Sequence, residues 1–184
     1  MTYRIDIKGM QRDLPLCPLT DKLMIGAFVI FGDVELTVHC AKELLKIVPD
    51  FDIMITAESK GIPLIHEMAK QSGKNTYVLA RKAPKLYMKD IFSCEVNSIT
   101  TARKQTLYLD GDDAKALKGR RVLIVDDVIS TGESLAAIET LVNKAGGNIV
   151  GRMAVLAEGD AQERKDILYL EKLPLFNPDG TIKE

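Results

Sequence analysis

Tryptophan is absent from this 184-residue chain, and tyrosine and phenylalanine number only five each. A core must therefore be built from Val, Ile, Leu, Met and Ala. Hydrophobic residues reach 46%, which excludes a disordered chain. Neither charge sign is in surplus. The 25 basic residues against 26 acidic ones leave a net charge of −1, which argues against non-specific nucleic-acid binding. Apolar runs are short as well. The longest, residues 23–31, falls far below the roughly 18 residues of a membrane helix, so no membrane partner is expected. The opening MTYRIDIKGM has no secretory apolar stretch, and the expected location is the cytoplasm. The three cysteines, Cys17, Cys40 and Cys94, are odd in number and widely spaced. That excludes a disulfide framework or a zinc site and reads as reduced thiols. The only histidines, His39 and His66, fall on predicted helices without a metal-like partner at i+4. No repeat, low-complexity stretch or linker divides residues 1–184, so one domain is expected.

What is present is an alternation of strand-like and helix-like segments, the pattern of a mainly parallel sheet. Residues 52–56 (DIMIT) read as a strand. A helix opened by Gly61 and Pro63 follows, with Ile62, Ile65 and Met68 or Ala69 on one face, and Gly73 ends it. Residues 76–80 (TYVLA) read as a second strand. Residues 107–109 read as a third, closed by a turn at 110–113. Residues 121–126 (RVLIVD) form the strongest strand, apolar enough to be buried on both faces. A helix is expected over 133–145, stopped by Gly146 and Gly147. Residues 149–156 supply the last core strand. Earlier, Val34, Val38, Ala41, Leu45 and Val48 recur at spacings of four and three, the stripe of a helix packed on the sheet.

Two segments stand outside the alternation. Residues 1–32, with RDLPLCPL, precede the first sheet unit. Residues 81–106 form a long polar insertion containing Arg81, Lys82, Lys85, Lys89, Arg103 and Lys104. A connection of that length within a compact domain is usually a lid or binding loop.

The most informative stretch is 122–134, VLIVDDVISTGES. An apolar strand ends in Asp126 and Asp127, and Ser130, Thr131 and Gly132 lead into a helix. Ligands of open parallel sheets bind beyond the carboxyl ends of the strands. A helix N-terminus there offers unpaired N–H groups and a positive dipole end, suited to a phosphate. Ser130, Thr131 and Ser134 add hydroxyls, and Gly132 permits close backbone approach. A plain helix cap with turn carboxylates is the competing explanation. Two adjacent carboxylates argue against it, because they repel unless a cation or hydroxyls use them. Neither G-x-x-x-x-G-K-[ST] nor G-x-G-x-x-G occurs. A phosphoacceptor receiver domain needs about a hundred residues beyond its acid pair, and only residues 128–184 remain.

These residues carry a resemblance. VLIVDDVISTGES resembles the phosphoribosyl pyrophosphate signature of type I phosphoribosyltransferases. Glu58-Ser59-Lys60-Gly61 after the first strand resembles their pyrophosphate loop, in the E-S-[RK]-G form of adenine phosphoribosyltransferases. Arg81-Lys82-Ala83-Pro84-Lys85-Leu86 resembles the R-K-x-x-K-L run of the same group. RDLPLCPL stands where that group has its base-binding hood, and Leu173-Pro174-Leu175-Phe176 is similar to its C-terminal end. The central motifs span residues 52–156 in the right order.

The resemblance implies an α/β fold with a central, mainly parallel five-stranded sheet flanked by helices. A small N-terminal hood (1–32) and a flexible closing loop (86–106) complete it. It implies Mg²⁺-dependent transfer of ribose phosphate from phosphoribosyl pyrophosphate to a purine, adenine favoured, with inversion and release of pyrophosphate. Asp126 and Asp127 would act at the catalytic centre, holding the ribose hydroxyls and, through them or water, the metal. Ser130, Thr131, Gly132, Glu133 and Ser134 would hold the 5′-phosphate. Glu58, Ser59, Lys60, Gly61, Arg81, Lys82 and Lys85 would hold pyrophosphate. The basic set alone also fits a solvated loop surface. Leu16, Cys17 and Glu158 would meet the base, although Cys17 by itself reads as a small buried residue and Glu158 as an ordinary loop glutamate.

Two positions depart from the pattern. Many relatives have glycine where Glu133 stands, and a carboxylate there must turn away from the phosphate. Adenine-specific relatives carry a glutamate where Thr101 stands, within a segment (98–105) more similar to the loop of xanthine phosphoribosyltransferases. The general acid or base is therefore unassigned, with Glu95 a loop carboxylate able to substitute. Xanthine, hypoxanthine and guanine stay open as bases, and so does a pyrimidine or other acceptor. A non-catalytic sensor of phosphoribosyl pyrophosphate is the reading from another class. Residues 1–49 show no helix-turn-helix pattern or basic face to support it. A homodimer is expected from the resemblance.

Overall fold

The computed structural model describes residues 1–97 and 104–183. Three strands come first: β1 (Thr2–Ile7), β2 (Met10–Thr20) and β3 (Leu23–Gly26). Lys8 and Gly9, both at positive φ, form the β1–β2 turn, and the Gly9 N–H donates to Asp6 Oδ1 at 2.6 Å. A helix, α1 (Val34–Leu45), then leads to strand β4 (Ile53–Ala57), helix α2 (Gly61–Gln71) and strand β5 (Val78–Ala80). Strands β6 (Phe92–Asn97) and β7 (Lys104–Leu109) precede a short helix, α3 (Gly111–Leu117). Then follow β8 (Arg121–Ile129), α4 (Glu133–Lys144), β9 (Asn148–Glu158), a 3₁₀ turn (Gly159–Glu163), β10 (Leu168–Leu173) and β11 (Leu175–Phe176).

The central sheet has five strands in the order β10-β9-β8-β4-β5, and every pairing in it is parallel. β8 lies in the middle, and Val122, Leu123, Ile124 and Val125 are buried, as expected for a run covered on both faces. Side chains alternate between two apolar layers at the strand period. Met54, Leu123 and Val125 join α1, α2 and the first hairpin in one cluster. Ile53, Ile55, Val122 and Ile124 join α3, α4, β6 and β7 in the other. β11 returns to β3, so the hood is a four-stranded antiparallel sheet closed by both ends of the chain.

The number of core strands is as expected, but the membership differs. Residues 107–109 do not enter the central sheet. They belong to β7, which pairs antiparallel with β6 as a separate ribbon. Residues 110–113 are not a turn but the start of α3, where the Asp110 side chain accepts from the Asp112 N–H. The fifth strand is β10, beyond the expected last strand. β8 also continues past Asp126, to Ile129.

The stripe on α1 is corrected too. Its buried residues are Leu36, Thr37, Cys40, Ala41 and Leu44, whereas Val34 is 73% exposed and Val38 39%. At about 100° per residue this face is rotated by roughly a quarter turn from the expected one. α1 packs in the cluster shared by α2 and the hood, so its contact face is set by those neighbours as well as by the sheet. Ile62 on α2 is likewise only half-buried, and Leu64 takes its place in the core beside Ile65, Met68 and Ala69.

Candidate active site

Four turns converge at the carboxyl ends of parallel strands, where ligands of such sheets bind. They follow β4, β5, β8 and β9. In the first, the Glu58–Ser59 peptide is cis. Glycine is required at its end: a Cβ on Gly61 would stand 2.2 Å from Thr56 Oγ1 and 3.5 Å from Asp126 Oδ1. That close approach brings the turn after β4 against the acid pair of β8.

Asp126 and Asp127 lie within β8, ahead of its end. The Asp127 N–H donates to Asp126 Oδ1 at 2.9 Å. Asp127 is 3% exposed, and its Oδ2 forms an ion pair with Lys60 Nζ at 2.9 Å but has no hydrogen bond. Burial first, and then the neighbouring Asp127 charge, push the Asp126 carboxyl well above the ordinary range, with Lys60 pulling the other way. The pair offers hard oxygen donors. Among the described residues no group of three or more His, Cys, Asp or Glu gathers as a metal site. Two carboxylates, one with a buried oxygen that meets the Lys60 charge and accepts no hydrogen bond, fit a magnesium ion that brings substrate oxygens and water with it, the usual way that ion is held.

Arg81 and Lys85 reach the same region from the turn after β5. Arg81 Nη1 donates to Glu58 Oε1 at 2.7 Å, the Lys82 N–H donates to Glu58 Oε2 at 3.0 Å, and Lys85 Nζ stands 3.9 Å from Oε1. The Lys82 N–H first, against the opposing effect of burial and with help from the Arg81 guanidinium and the Lys85 charge, holds the Glu58 carboxyl below its usual range. The resemblance grouped the backbone of Glu58 to Gly61 with the pyrophosphate ligands. The Glu58 carboxylate is the counterion of those cations, a contact between segments that no local pattern reveals. Ser59 and Lys82 are exposed at the rim.

The turn at 130–134 opens α4. Its N-cap is Gly132, left-handed at φ 79°, with no side-chain cap bond. The Thr131 hydroxyl accepts from the Glu133 N–H only at 3.5 Å, so the first turn of α4 is not satisfied by a tight local cap. The turn encloses a cavity of about 50 Å³ bounded by Asp126, Ser130, Thr131, Gly132, Glu133 and Ser134, among others. Glu133 therefore sits beside the cradle, and its own contacts extend to further groups.

A second cavity, about 220 Å³, lies between this turn and the hood. Leu19, Leu23 and Leu175 form one wall, and Ser130, Thr131, Glu158, Gly159 and Asp160 the other. Burial raises the Glu158 carboxyl above its usual range, and Lys60 opposes the shift. Leu16 and Cys17 are half-buried in β2, opposite Gly26 and Ile25 of β3. The hood residues that face this cavity are Leu19, Leu23 and Leu175. Cys17 is thus less buried than its size and type suggest. The Glu95 side chain and residues 98–103, with Thr101 and Arg103, lie outside the described residues. His39 is a helix residue whose Nε2 meets the Ile7 carbonyl at 2.9 Å, and His66 stacks edge-on with Tyr77.

Comparison with known proteins bears on the family and the fold. Residues 38–174 match the phosphoribosyl transferase domain family. The chain is 36% identical over 150 residues to a hypoxanthine/guanine phosphoribosyltransferase of Methanothermococcus okinawensis, covering 78% of each protein. It is 32% identical over 156 residues to an adenine phosphoribosyltransferase of Thermotoga petrophila, covering 84% of this chain and 88% of that one. Its fold superposes on the crystal structure of adenine phosphoribosyltransferase from Thermoanaerobacter pseudethanolicus with a TM-score of 0.67. That match has 23% identity and covers 94% and 95% of the two chains.

Proposed function

This chain belongs to the type I phosphoribosyltransferase family and is a purine phosphoribosyltransferase, and from that premise we propose that adenine is its preferred base, that Mg²⁺ accompanies the substrate, and that it acts as a cytoplasmic homodimer. One observation carries the choice of base: the two motifs of adenine type, Glu58-Ser59-Lys60-Gly61 and Arg81-Lys82-Ala83-Pro84-Lys85-Leu86, meet physically through Glu58. They work as one unit rather than as two chance matches. No helix among the described residues is long and apolar enough to cross a membrane.

The displacement forms a bond from the purine nitrogen to ribose C1′ and breaks the bond from C1′ to pyrophosphate, which leaves with the electron pair, while the proton of the purine N–H is released. Asp126 and Asp127 accept from the ribose hydroxyls and fix the sugar. The 130–134 turn holds the 5′-phosphate with backbone N–H groups and hydroxyls. Lys60, Arg81, Lys82 and Lys85 meet the charge that gathers on the departing pyrophosphate. A magnesium ion held near Asp126 and Asp127 would add Lewis-acid stabilisation of that leaving group. The base enters between Leu19, Leu23 and Glu158, where apolar walls hold its faces and a carboxylate meets its edge.

Glu158 also favours a second reading. A carboxylate accepts well from the paired N–H donors on the edge of guanine, and relatives named for hypoxanthine and guanine are as similar as those named for adenine. A panel of adenine, hypoxanthine, guanine, xanthine and uracil, each with phosphoribosyl pyrophosphate and Mg²⁺, decides. The expected result is nucleotide and pyrophosphate formation with the highest kcat/KM for adenine. A higher value for guanine or hypoxanthine replaces adenine with the 6-oxopurines. No turnover with any base, together with binding of phosphoribosyl pyrophosphate, leaves only the sensor reading.

A further inference from the structure

We propose that Arg164 is a positioning residue for the ribose 5′-phosphate, bracing the 130–134 cradle from behind through Gly132. The proposal rests on the reading of that turn as the phosphate cradle.

Arg164 directly follows the 3₁₀ turn after β9. Its Nε donates to Asp166 Oδ1 at 2.9 Å and its Nη2 to Asp166 Oδ2 at 2.6 Å. This two-pronged contact fixes the plane of the guanidinium. The remaining nitrogen, Nη1, lies 2.8 Å from the point where a Cβ on Gly132 would stand. Gly132 is the left-handed residue on which the cradle pivots. The guanidinium therefore packs on the backbone of the pivot and occupies the space that any side chain at 132 would need. Arg164 is not among the residues bounding the cradle cavity, so it supports the turn from outside instead of lining it.

The support is itself anchored. Asp166 lies 3.8 Å from Arg152 Nε, and the same nitrogen donates to Glu139. Glu139 stands on α4 and Arg152 on β9. The chain of charges thus runs from the body of α4, across β9, to the turn after it, and back to the first residue before α4. The cradle needs such help. Its segment, 130–134, contains no lysine or arginine and does contain Glu133. A guanidinium against Gly132 places positive charge behind a cradle of neutral donors and holds its N–H groups in their orientation.

The test uses Arg164→Ala and Arg164→Lys in the full chain, with calorimetric binding of ribose 5-phosphate and of pyrophosphate in Mg²⁺. Ribose 5-phosphate reads the cradle, and pyrophosphate reads the opposite end of the site. For Arg164→Ala, ribose 5-phosphate binding should weaken about tenfold, the effect of a cradle whose N–H groups are no longer held in place. Pyrophosphate binding should be unchanged, and KM for phosphoribosyl pyrophosphate should rise more than kcat falls. Arg164→Lys keeps the charge without the fork and should recover part of the loss. A variant that weakens both ligands equally, or neither, overturns the proposal. Thr131→Val/Ser134→Ala is the control for the cradle itself. If this control also spares ribose 5-phosphate, the phosphate reading fails. If the control weakens ribose 5-phosphate and Arg164→Ala does not, only the brace fails. Should Arg164→Ala not fold, the comparison of Arg164→Lys with wild type on the same two ligands decides alone.

Discussion

Three of the basic side chains at the site already face a carboxylate: Lys60 meets Asp127, and Arg81 and Lys85 meet Glu58. Partly buried pairs of this kind roughly break even between Coulomb gain and desolvation. The cations can therefore be handed to a substrate anion at small cost. The motifs themselves were legible: the acid pair after an apolar strand, the E-S-K-G turn and the basic run. Their pairing was not, because Glu58 and Arg81 lie 23 residues apart and only the parallel sheet brings β4 and β5 together. Asp126 and Asp127 carry the sharpest prediction at this scale. Asp126→Asn/Asp127→Asn should lower kcat at least about a hundredfold, the scale of removing a dedicated electrostatic contact. Far-ultraviolet circular dichroism should be unchanged. The fold should persist because asparagine matches aspartate in size and an amide oxygen at 126 can still accept from the 127 N–H. Full activity in the double variant would place the catalytic centre elsewhere.

At the scale of elements, the strands buried on both faces were readable, and of the two borders of the sheet β5 was readable and β10 was not. β8 is a continuous apolar run, and no other arrangement hides it. β10, with the sequence LYLEKL, mixes polar and apolar residues because it forms the border of the sheet. The segment 107–109 is a strand as expected, but it pairs with β6, so it forms a ribbon. The junction between hood and α1 shows how a small polar cluster can set an element. Asp33 caps α1 by accepting from the Leu36 N–H at 3.0 Å. Arg12 of β2 donates to both of its oxygens, at 2.7 and 3.1 Å, and to Glu35 at 2.8 Å. Loss of the cap in Asp33→Ala should cost about 1–2 kcal/mol in urea unfolding. The Arg12 hydrogen bonds hold the Asp33 carboxyl below its usual range. A depressed carboxyl stabilises the fold above its unfolded value of roughly 3.9 and loses that contribution as pH falls through its lower folded value. The gap between wild type and Asp33→Ala should therefore be constant from neutral pH down to about 4 and narrow below it. A gap that widens on acidification contradicts the latch.

The quarter-turn rotation of α1 matters most for the molecule as a whole. It leaves Val34 and Val38 facing outward, and Phe31 and Val29, just before the helix, are exposed as well. Beside them Val34, Val38, Ile62, Pro63, His66 and Tyr77 bound a largely apolar cleft of about 310 Å³ between α1 and α2. Of the residues that the sequence pattern assigned to the sheet, Val34 and Val38 thus join Val29 and Phe31 in a surface stripe, whereas Ala41 is buried and Leu45 and Val48 pack against the core. Single exposed apolar residues need no explanation, but a contiguous stripe beside an apolar cleft marks a contact surface. A near-neutral chain offers little electrostatic resistance to association with itself. A second copy of this chain is the partner that the proposed homodimer requires, and a two-fold axis would set the same stripe on both partners. Sedimentation velocity at micromolar concentration should give a dimer for wild type. Val34→Asp/Val38→Asp should shift it to monomer, because two carboxylates would be desolvated in each half of the contact. Both positions are outward-facing in the isolated chain, so the variant should keep its helical content. A monomeric wild type rejects the dimer, and a double variant that stays dimeric moves the interface to another face.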